Sequence, residues 1–148
     1  MTGDVNSRAQ AYIDEMARTR GYVLDYHKTL ARADFPVLEA ANGLVNAAYL
    51  DQRLLDRRTK ELLFVLSLTV LRAPQAQIRA HILVALEIGV TPQEILEALE
   101  IALPEAGIVA FQHGFDVWCE CVDAPKLEPG DVLGDGSTGR SARRPPSR

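Results

Sequence analysis

The sequence lacks most of the features that mark secreted, membrane and disulfide-stabilised proteins. Its 148 residues include only two cysteines, Cys119 and Cys121. On a helix, a spacing of two directs the thiols about 200° apart, so they cannot easily bridge each other or share a metal ion. The longest apolar run, residues 62–71, contains Ser67 and Thr69 and is too short to cross a bilayer. The first ten residues contain no signal-peptide core. These absences predict a cytoplasmic protein with two free thiols.

The sequence also lacks a surplus of positive charge. The net charge is −4, and five of the sixteen Lys and Arg but only three of the twenty Asp and Glu lie after residue 124. Residues 1–124 therefore carry a net charge near −6. An acidic domain is not attracted to phosphates over long range, so we expect neither nucleic acid nor a membrane as a partner.

Composition divides the chain into a domain and a tail. Residues 125–148 contain four Pro, four Gly and three Ser and no aromatic residue. Such a segment buries too little apolar area to offset the entropy of ordering it. We therefore predict a single domain over residues 1–124 and a flexible tail over residues 125–148.

Apolar residues in the domain recur at steps of three and four, and no run alternates long enough to predict a strand. The fold class is therefore predicted to be all-α. Thr91, Pro92 and Glu94 form the pattern of a capping box, and we expect Pro104 to end the helix that starts there. The predicted helices cover residues 5–19, 23–31, 34–49, 56–71, 75–88, 92–103 and 105–122.

Two of these helices carry unusual apolar surface. The helix over 56–71 is apolar on all sides and is expected at the centre of the core or between subunits. The final helix places Ile108, Phe111, Phe115, Trp118 and Val122 on one stripe. Both surfaces are larger than a small domain normally leaves uncovered.

His81 and Glu61 are the strongest candidates for chemistry, since no phosphate-binding loop, zinc-spaced cluster or nucleophile elbow is present. His81 projects from a mostly apolar helix face, where it could act as an acid or a base. The alternative is a core histidine bonded to a backbone carbonyl. Glu61 precedes an apolar run, where a carboxylate must be paired or protonated if buried. The alternative interpretation of Glu61 is an exposed residue in the first turn of its helix, where a carboxylate complements the helix dipole.

Two arginines and two further histidines are weaker candidates. Arg72 and Arg79 flank Pro74 and could clamp a carboxylate, although arginines at helix ends are usually solvated. His113 lies at the border of its helix and is expected at the surface or an interface. His27 is expected to make only a local capping contact.

The order of motifs resembles the carboxymuconolactone decarboxylase superfamily, which also contains the alkylhydroperoxidase D proteins. The resemblance is carried by the segment KELL around Glu61, by His81 eight residues before Gly89, and by the segment VTPQEI that follows. It covers roughly residues 54–122, and the segments upstream look like the N-terminal helices of decarboxylase-like members. The superfamily implies a helical core that assembles as a homotrimer or homohexamer, with active sites near subunit contacts.

This chain lacks the two cysteines on which the thiol chemistry of the peroxidase branch depends. In that branch, cysteines stand four and seven residues before the histidine, where this chain has Gln77 and Pro74. Neither residue can form a sulfenic acid or a disulfide. Glu61 matches the proton-relay glutamate, but it stands 20 residues before His81, one more than is usual. An insertion in the turn over 71–75 would explain the difference.

The branch without these cysteines includes a lactone decarboxylase that needs no cofactor. Such a reaction requires a cation to hold the substrate's acid groups and a general acid. The resemblance assigns His81 as the proton donor, Glu61 as its partner or a second acid, and Arg72 or Arg79 as the carboxylate clamp. Gln77 would donate an amide hydrogen bond.

The expected function is therefore a cofactor-free decarboxylase for a small carboxylated lactone or enol acid in aromatic-compound breakdown. The alternative is a non-catalytic oligomer that binds a small acid or a partner protein. A third hypothesis is an antioxidant protein that reduces peroxide through another thiol.

Overall fold

The computed structural model describes residues 2–124, with side chains from residue 6 onward. In this part of the chain all regular structure is helical, which confirms the all-α prediction. The predicted tail, 125–148, lies outside the described residues. The helices are α1 (Thr2–Arg20), α2 (Asp25–Ala33), α3 (Phe35–Val45), which continues into a π-helical turn (Asn46–Leu50), α4 (Arg57–Val70), α5 (Gln75–Glu87), α6 (Pro92–Glu100), α7 (Ala102–Ala106) and α8 (Ile108–Cys121).

Local hydrogen bonds from side chains near the helix N-termini fix where several helices begin, and the sequence predicts these bonds. The carboxylates of Asp34 and Asp56 each accept a hydrogen bond from the backbone N–H three residues later. Thr91 and Glu94 form the predicted capping box, in which each side chain accepts the backbone N–H of the other residue. Each such cap contributes about 1 kcal/mol to helix stability.

The chain departs from the prediction around Pro104. Helix α6 ends at Glu100 rather than near residue 103, and Pro104 lies inside the short helix α7. In the first turn of a helix, the missing N–H of proline has no intrahelical partner to lose, so Pro104 does not end the helix. The final helix begins instead after Gly107, whose φ of 87° is in the left-handed region.

Two apolar clusters hold the helices together. The larger lies among α4, α5, α6 and α8, and the smaller joins α1, α2 and α3. The fully or nearly fully buried members of the first are Val65, Ile78, Ile82, Ala85, Val90, Ile95, Leu99 and Val117. Those of the second are Ala9, Ile13, Met16, Ala31 and Leu38. The N-terminal helices thereby form a layer beside the main bundle.

The apolar helix α4 packs against α5, α6, α7, α8 and the π-helical turn, so it is central in the bundle, which is one of the two predicted locations. One of its faces is nevertheless uncovered. Its Val65 and Thr69 are fully buried, but Leu63 is 50% exposed, and Leu71, which directly follows the helix, is 76% exposed. Leu103 is also exposed. The aromatic stripe of α8 forms a stack in which Phe115 lies 5.3 Å from Phe111 and 5.6 Å from Trp118, measured between ring centroids. None of the helices within residues 2–124 is long and apolar enough to cross a membrane.

Gly114 lets α8 approach α4 closely. A Cβ atom there would lie 2.3 Å from Oγ1 of Thr69 and 2.8 Å from Cδ2 of Leu99. Both neighbours are fully buried and have little room to move. We expect Gly114→Ala to lower the free energy of unfolding, measured by urea denaturation, by about 1–3 kcal/mol.

Gly43 provides a matched control for this substitution. A Cβ there meets nothing within 4 Å, and Gly43 lies within helix α3. Gly43→Ala should therefore raise stability by about 0.5–1 kcal/mol. In a Gly114→Ala chain, Thr69→Ala should recover part of the loss because it removes the nearest atom. Equal stabilisation at the two glycines would contradict close packing at Gly114.

Candidate active site

The structure brings together the two residues that the sequence singled out most strongly. Nδ1 of His81, on α5, lies 2.7 Å from Oε2 of Glu61, on α4. The Glu61 side chain is fully buried and His81 is 5% exposed. The alternative of a solvated first-turn glutamate is therefore wrong, because the neighbouring helix covers this face of α4.

Three side chains share the Glu61 carboxylate. His81 is one, the Tyr49 hydroxyl donates a second hydrogen bond, and Nε of Arg57 donates a third at 2.7 Å. Burial alone would raise the pKa of Glu61, but the hydrogen bonds from these three partners outweigh it and leave the pKa below the ordinary value. Glu61 is therefore paired and ionised at neutral pH.

An ionised Glu61 determines which nitrogen of His81 carries the proton. A carboxylate can only accept, so Nδ1–H of His81 must be the donor. The other ring nitrogen, Nε2, lies 3.2 Å from the hydroxyl of Tyr22. The Phe64 ring stacks on the imidazole, with centroids 4.5 Å apart and planes 13° from parallel. Both hydrogen-bond partners of His81 are side chains, so the alternative of a histidine bonded to a backbone carbonyl is wrong.

A cavity of about 270 Å³ lies beside His81, between the N-terminal layer and helices α4 and α5. This volume is slightly below the usual range for sites of drug-sized ligands, so it suits a small molecule. Its walls combine apolar side chains with a few polar groups, the composition of a small-ligand site. The polar lining residues are Arg20, Tyr22, Tyr26, His27, Tyr49, Gln77 and His81.

The two tyrosines of the site, buried Tyr49 and partly buried Tyr22, were not predicted from the sequence. Burial raises the pKa of both Tyr22 and Tyr49, and Glu61 raises that of Tyr49 further. Both hydroxyls therefore keep their protons at neutral pH and can donate hydrogen bonds. Tyr49 lies in the π-helical turn and Tyr22 in the segment between α1 and α2, so neither shares a helix face with His81.

Arg57 was also missed, although the sequence carries a signal for it. It stands four residues before Glu61, the spacing at which two helical side chains meet. Its Nη2 donates hydrogen bonds to the hydroxyl of Tyr49 at 2.7 Å and to the backbone carbonyl of Arg20 at 3.1 Å. Arg57 thus connects the pair of Glu61 and His81 to the N-terminal layer.

The proposed arginine clamp does not line the cavity. Arg72 is exposed and adopts a φ of 52° in the turn that ends α4. Residues two apart on a helix point in nearly opposite directions, so Arg79 cannot face the same way as His81. It pairs instead with Glu120 of α8. Gln77, by contrast, lines the cavity, and its role in substrate binding stays a prediction.

The remaining histidines and the cysteines have separate surroundings. His27 caps α2 locally, as expected, but it is also buried and lines the cavity. His113 is half-buried, with Nε2 2.7 Å from the carbonyl oxygen of Ala73.

Cys119 and Cys121 are free, and burial raises the pKa of each thiol. Neither lines the cavity. Within the described part of the chain, no three His, Cys, Asp or Glu are placed to hold a metal ion.

The fold and the site define a helical protein with a buried histidine–glutamate pair facing a small cavity. The model of the carboxymuconolactone decarboxylase family matches residues 36–120, more than half of the chain. The chain belongs to this family, which confirms the resemblance found in the sequence. The match includes Glu61 and His81 but excludes residues 1–35, which supply Arg20, Tyr22 and His27 to the cavity. No curated protein and no solved structure matches the chain.

Proposed function

We propose that the protein is a cofactor-free decarboxylase that acts on a small carboxylated lactone or enol acid, in the breakdown of aromatic compounds. The observation that supports this most is the geometry of His81, whose Nδ1 is held by ionised Glu61 while Nε2 is directed toward Tyr22 at the cavity. Membership of the carboxymuconolactone decarboxylase family supports the same class of reaction.

The reaction needs a proton delivered to carbon. When the C–C bond to the carboxylate breaks, CO2 leaves and the electron pair moves onto the conjugated carbonyl. His81 then transfers a proton from Nε2 to carbon and returns to the neutral form that keeps its proton on Nδ1. Glu61 stabilises the imidazolium that exists before the transfer. Tyr22, which keeps its proton, is placed to donate a hydrogen bond to the dienolate oxygen.

Carbon dioxide release tests this proposal. The purified protein is incubated with carboxymuconolactone and with a panel of unsaturated carboxylated lactones, and CO2 is measured. We expect release with at least one member of the panel. No release across the panel, combined with binding of its members, would favour the alternative of a non-catalytic small-acid-binding protein.

The peroxidase hypothesis has its own test. Peroxide turnover that survives Cys119→Ser and Cys121→Ser together would exclude a cysteine mechanism. The position of both thiols away from the cavity argues against such a mechanism at this site.

We also propose that the chain assembles as a homotrimer or homohexamer through the outer face of α4. Exposed apolar side chains there border a second cavity, of about 730 Å³. Leu55, Leu63, Leu71 and Ile101 line it and are each at least half exposed. A contiguous apolar surface of this kind normally requires a partner, and a second copy of the same chain is the commonest one.

The assembly is checked by light scattering during size-exclusion chromatography. The expected mass is three or six times that of the 16.3 kDa chain. Leu63→Glu together with Leu71→Glu should shift the protein to smaller species, because buried charges at an interface are costly. Leu54→Glu is the control, since Leu54 is fully exposed and does not line this cavity. A monomeric wild-type protein would contradict the proposal.

A further inference from the structure

Arg20, at the end of α1, is a buried cation without a carboxylate partner. It is 4% exposed, and its Nε has no hydrogen-bond partner. Its Nη2 donates to the side-chain oxygen of Asn42. No ion pair among the residues with described side chains includes Arg20. A buried guanidinium is normally paired, because removing its charge from water is costly.

The contact between Arg20 and His27 places two donors opposite each other. The backbone N–H of Leu24 donates to Nδ1 of His27 at 3.0 Å, so the proton of the neutral ring is on Nε2. That Nε2 faces Nη1 of Arg20 at 3.5 Å. Burial, and then the charge of Arg20, lower the pKa of His27, so the ring is neutral at pH 7. Two N–H groups that face each other need a common acceptor.

The surroundings hold this pair of donors in place. The amide nitrogen of Asn42 donates to the hydroxyl of Tyr12 at 2.7 Å, which leaves the amide oxygen to accept from Arg20. The backbone carbonyl of Arg20 accepts from Arg57, which also pairs with Glu61. Arg20 and His27 both line the cavity that His81 borders.

We propose that Arg20 and His27 form the subsite that binds a carboxylate of the substrate. A carboxylate oxygen between the two N–H donors would satisfy both and neutralise the buried cation. This inference rests on the proposed function only for the decarboxylation at His81, since carboxylate binding does not require that reaction. It places the clamp in the N-terminal layer instead of at Arg72 and Arg79.

Benzoate and benzamide provide a matched test, since they differ mainly in charge. Their binding to the full-length protein is measured by NMR titration. We expect benzoate to bind at least about tenfold more tightly than benzamide, as one charge-assisted hydrogen bond requires. Arg20→Met should bring the ratio close to one, and Arg20→Lys should keep part of the preference. Arg79→Met is the control, because it removes one arginine outside the cavity and should leave the ratio unchanged.

The titration of the wild-type protein is decisive even if Arg20→Met does not fold. Benzoate should shift the Nε2–H resonance of His27, whereas benzamide should not. Equal binding of the two compounds, or no binding of either, would overturn the subsite. A failed decarboxylation assay together with Arg20-dependent benzoate binding would reject the proposed reaction and retain the subsite.

Discussion

Replacing His81 by alanine is expected to lower kcat/KM for CO2 release by about 100- to 10,000-fold, the range for loss of a positioned acid or base. The imidazole is held between Glu61 and the Tyr22 hydroxyl and is stacked on Phe64, so its position at the cavity is fixed. The loss should appear in kcat/KM measured with the best substrate of the lactone panel.

The control for this variant is His113→Ala. That ring is half-buried and contacts the carbonyl of Ala73, outside the cavity. Any loss of kcat/KM in His113→Ala should be small. Urea denaturation of both variants checks that each remains folded. Full activity in His81→Ala, or an equal loss in both variants, would refute the role of His81 as the proton donor.

Replacing Glu61 by alanine is expected to lower the free energy of unfolding by about 3–5 kcal/mol, the usual cost of removing one member of a buried ion pair. The fully buried carboxylate accepts hydrogen bonds from His81, Tyr49 and Arg57, and all three would lose that partner. Glu61→Gln should cost less because its amide oxygen can still accept. Urea denaturation at pH 7 measures both losses, and a cost below 1 kcal/mol for alanine would contradict the described network.

The stabilisation by Glu61 should also depend on pH. Its pKa in the folded protein is below the ordinary value of 4.5. The folded state therefore gains stability from this group above about pH 4.5 and loses it as the pH falls through the lower folded pKa. Glu61→Gln lacks this group, so its stability should approach that of the wild type in acid. A difference that stays constant down to pH 2 would show that folding does not lower the pKa of Glu61.

The helices were predictable because their signals are local. Asp34, Asp56 and Thr91 each bond to a backbone group three residues away, so the sequence alone identifies these helix starts. Pro104 misled the prediction because its effect depends on whether it stands in the first turn or the interior of a helix. That position depends on where α6 ends, which no local pattern marks.

The site was less predictable because its parts come from separate helices. Glu61 and His81 could be selected as charged or titratable residues on apolar faces, but their contact depends on how α4 packs against α5. Arg20 shows the limit most clearly, since its position in the sequence is that of an ordinary basic residue at a helix end. Its burial depends on α2 and α3, so Arg72 and Arg79, closer to His81 in sequence, were chosen instead.

The most direct test of this account is the protonation of His81, which can be measured without knowing the substrate. In protein labelled with ¹⁵N-histidine, NMR at pH 8 assigns the proton to one or other ring nitrogen. We predict that Nδ1 of His81 carries a proton in the wild type and that Glu61→Gln weakens this preference. A neutral ring with its only proton on Nε2 would contradict the proposed site, because Nδ1 would then have no proton to donate to the ionised Glu61 carboxylate.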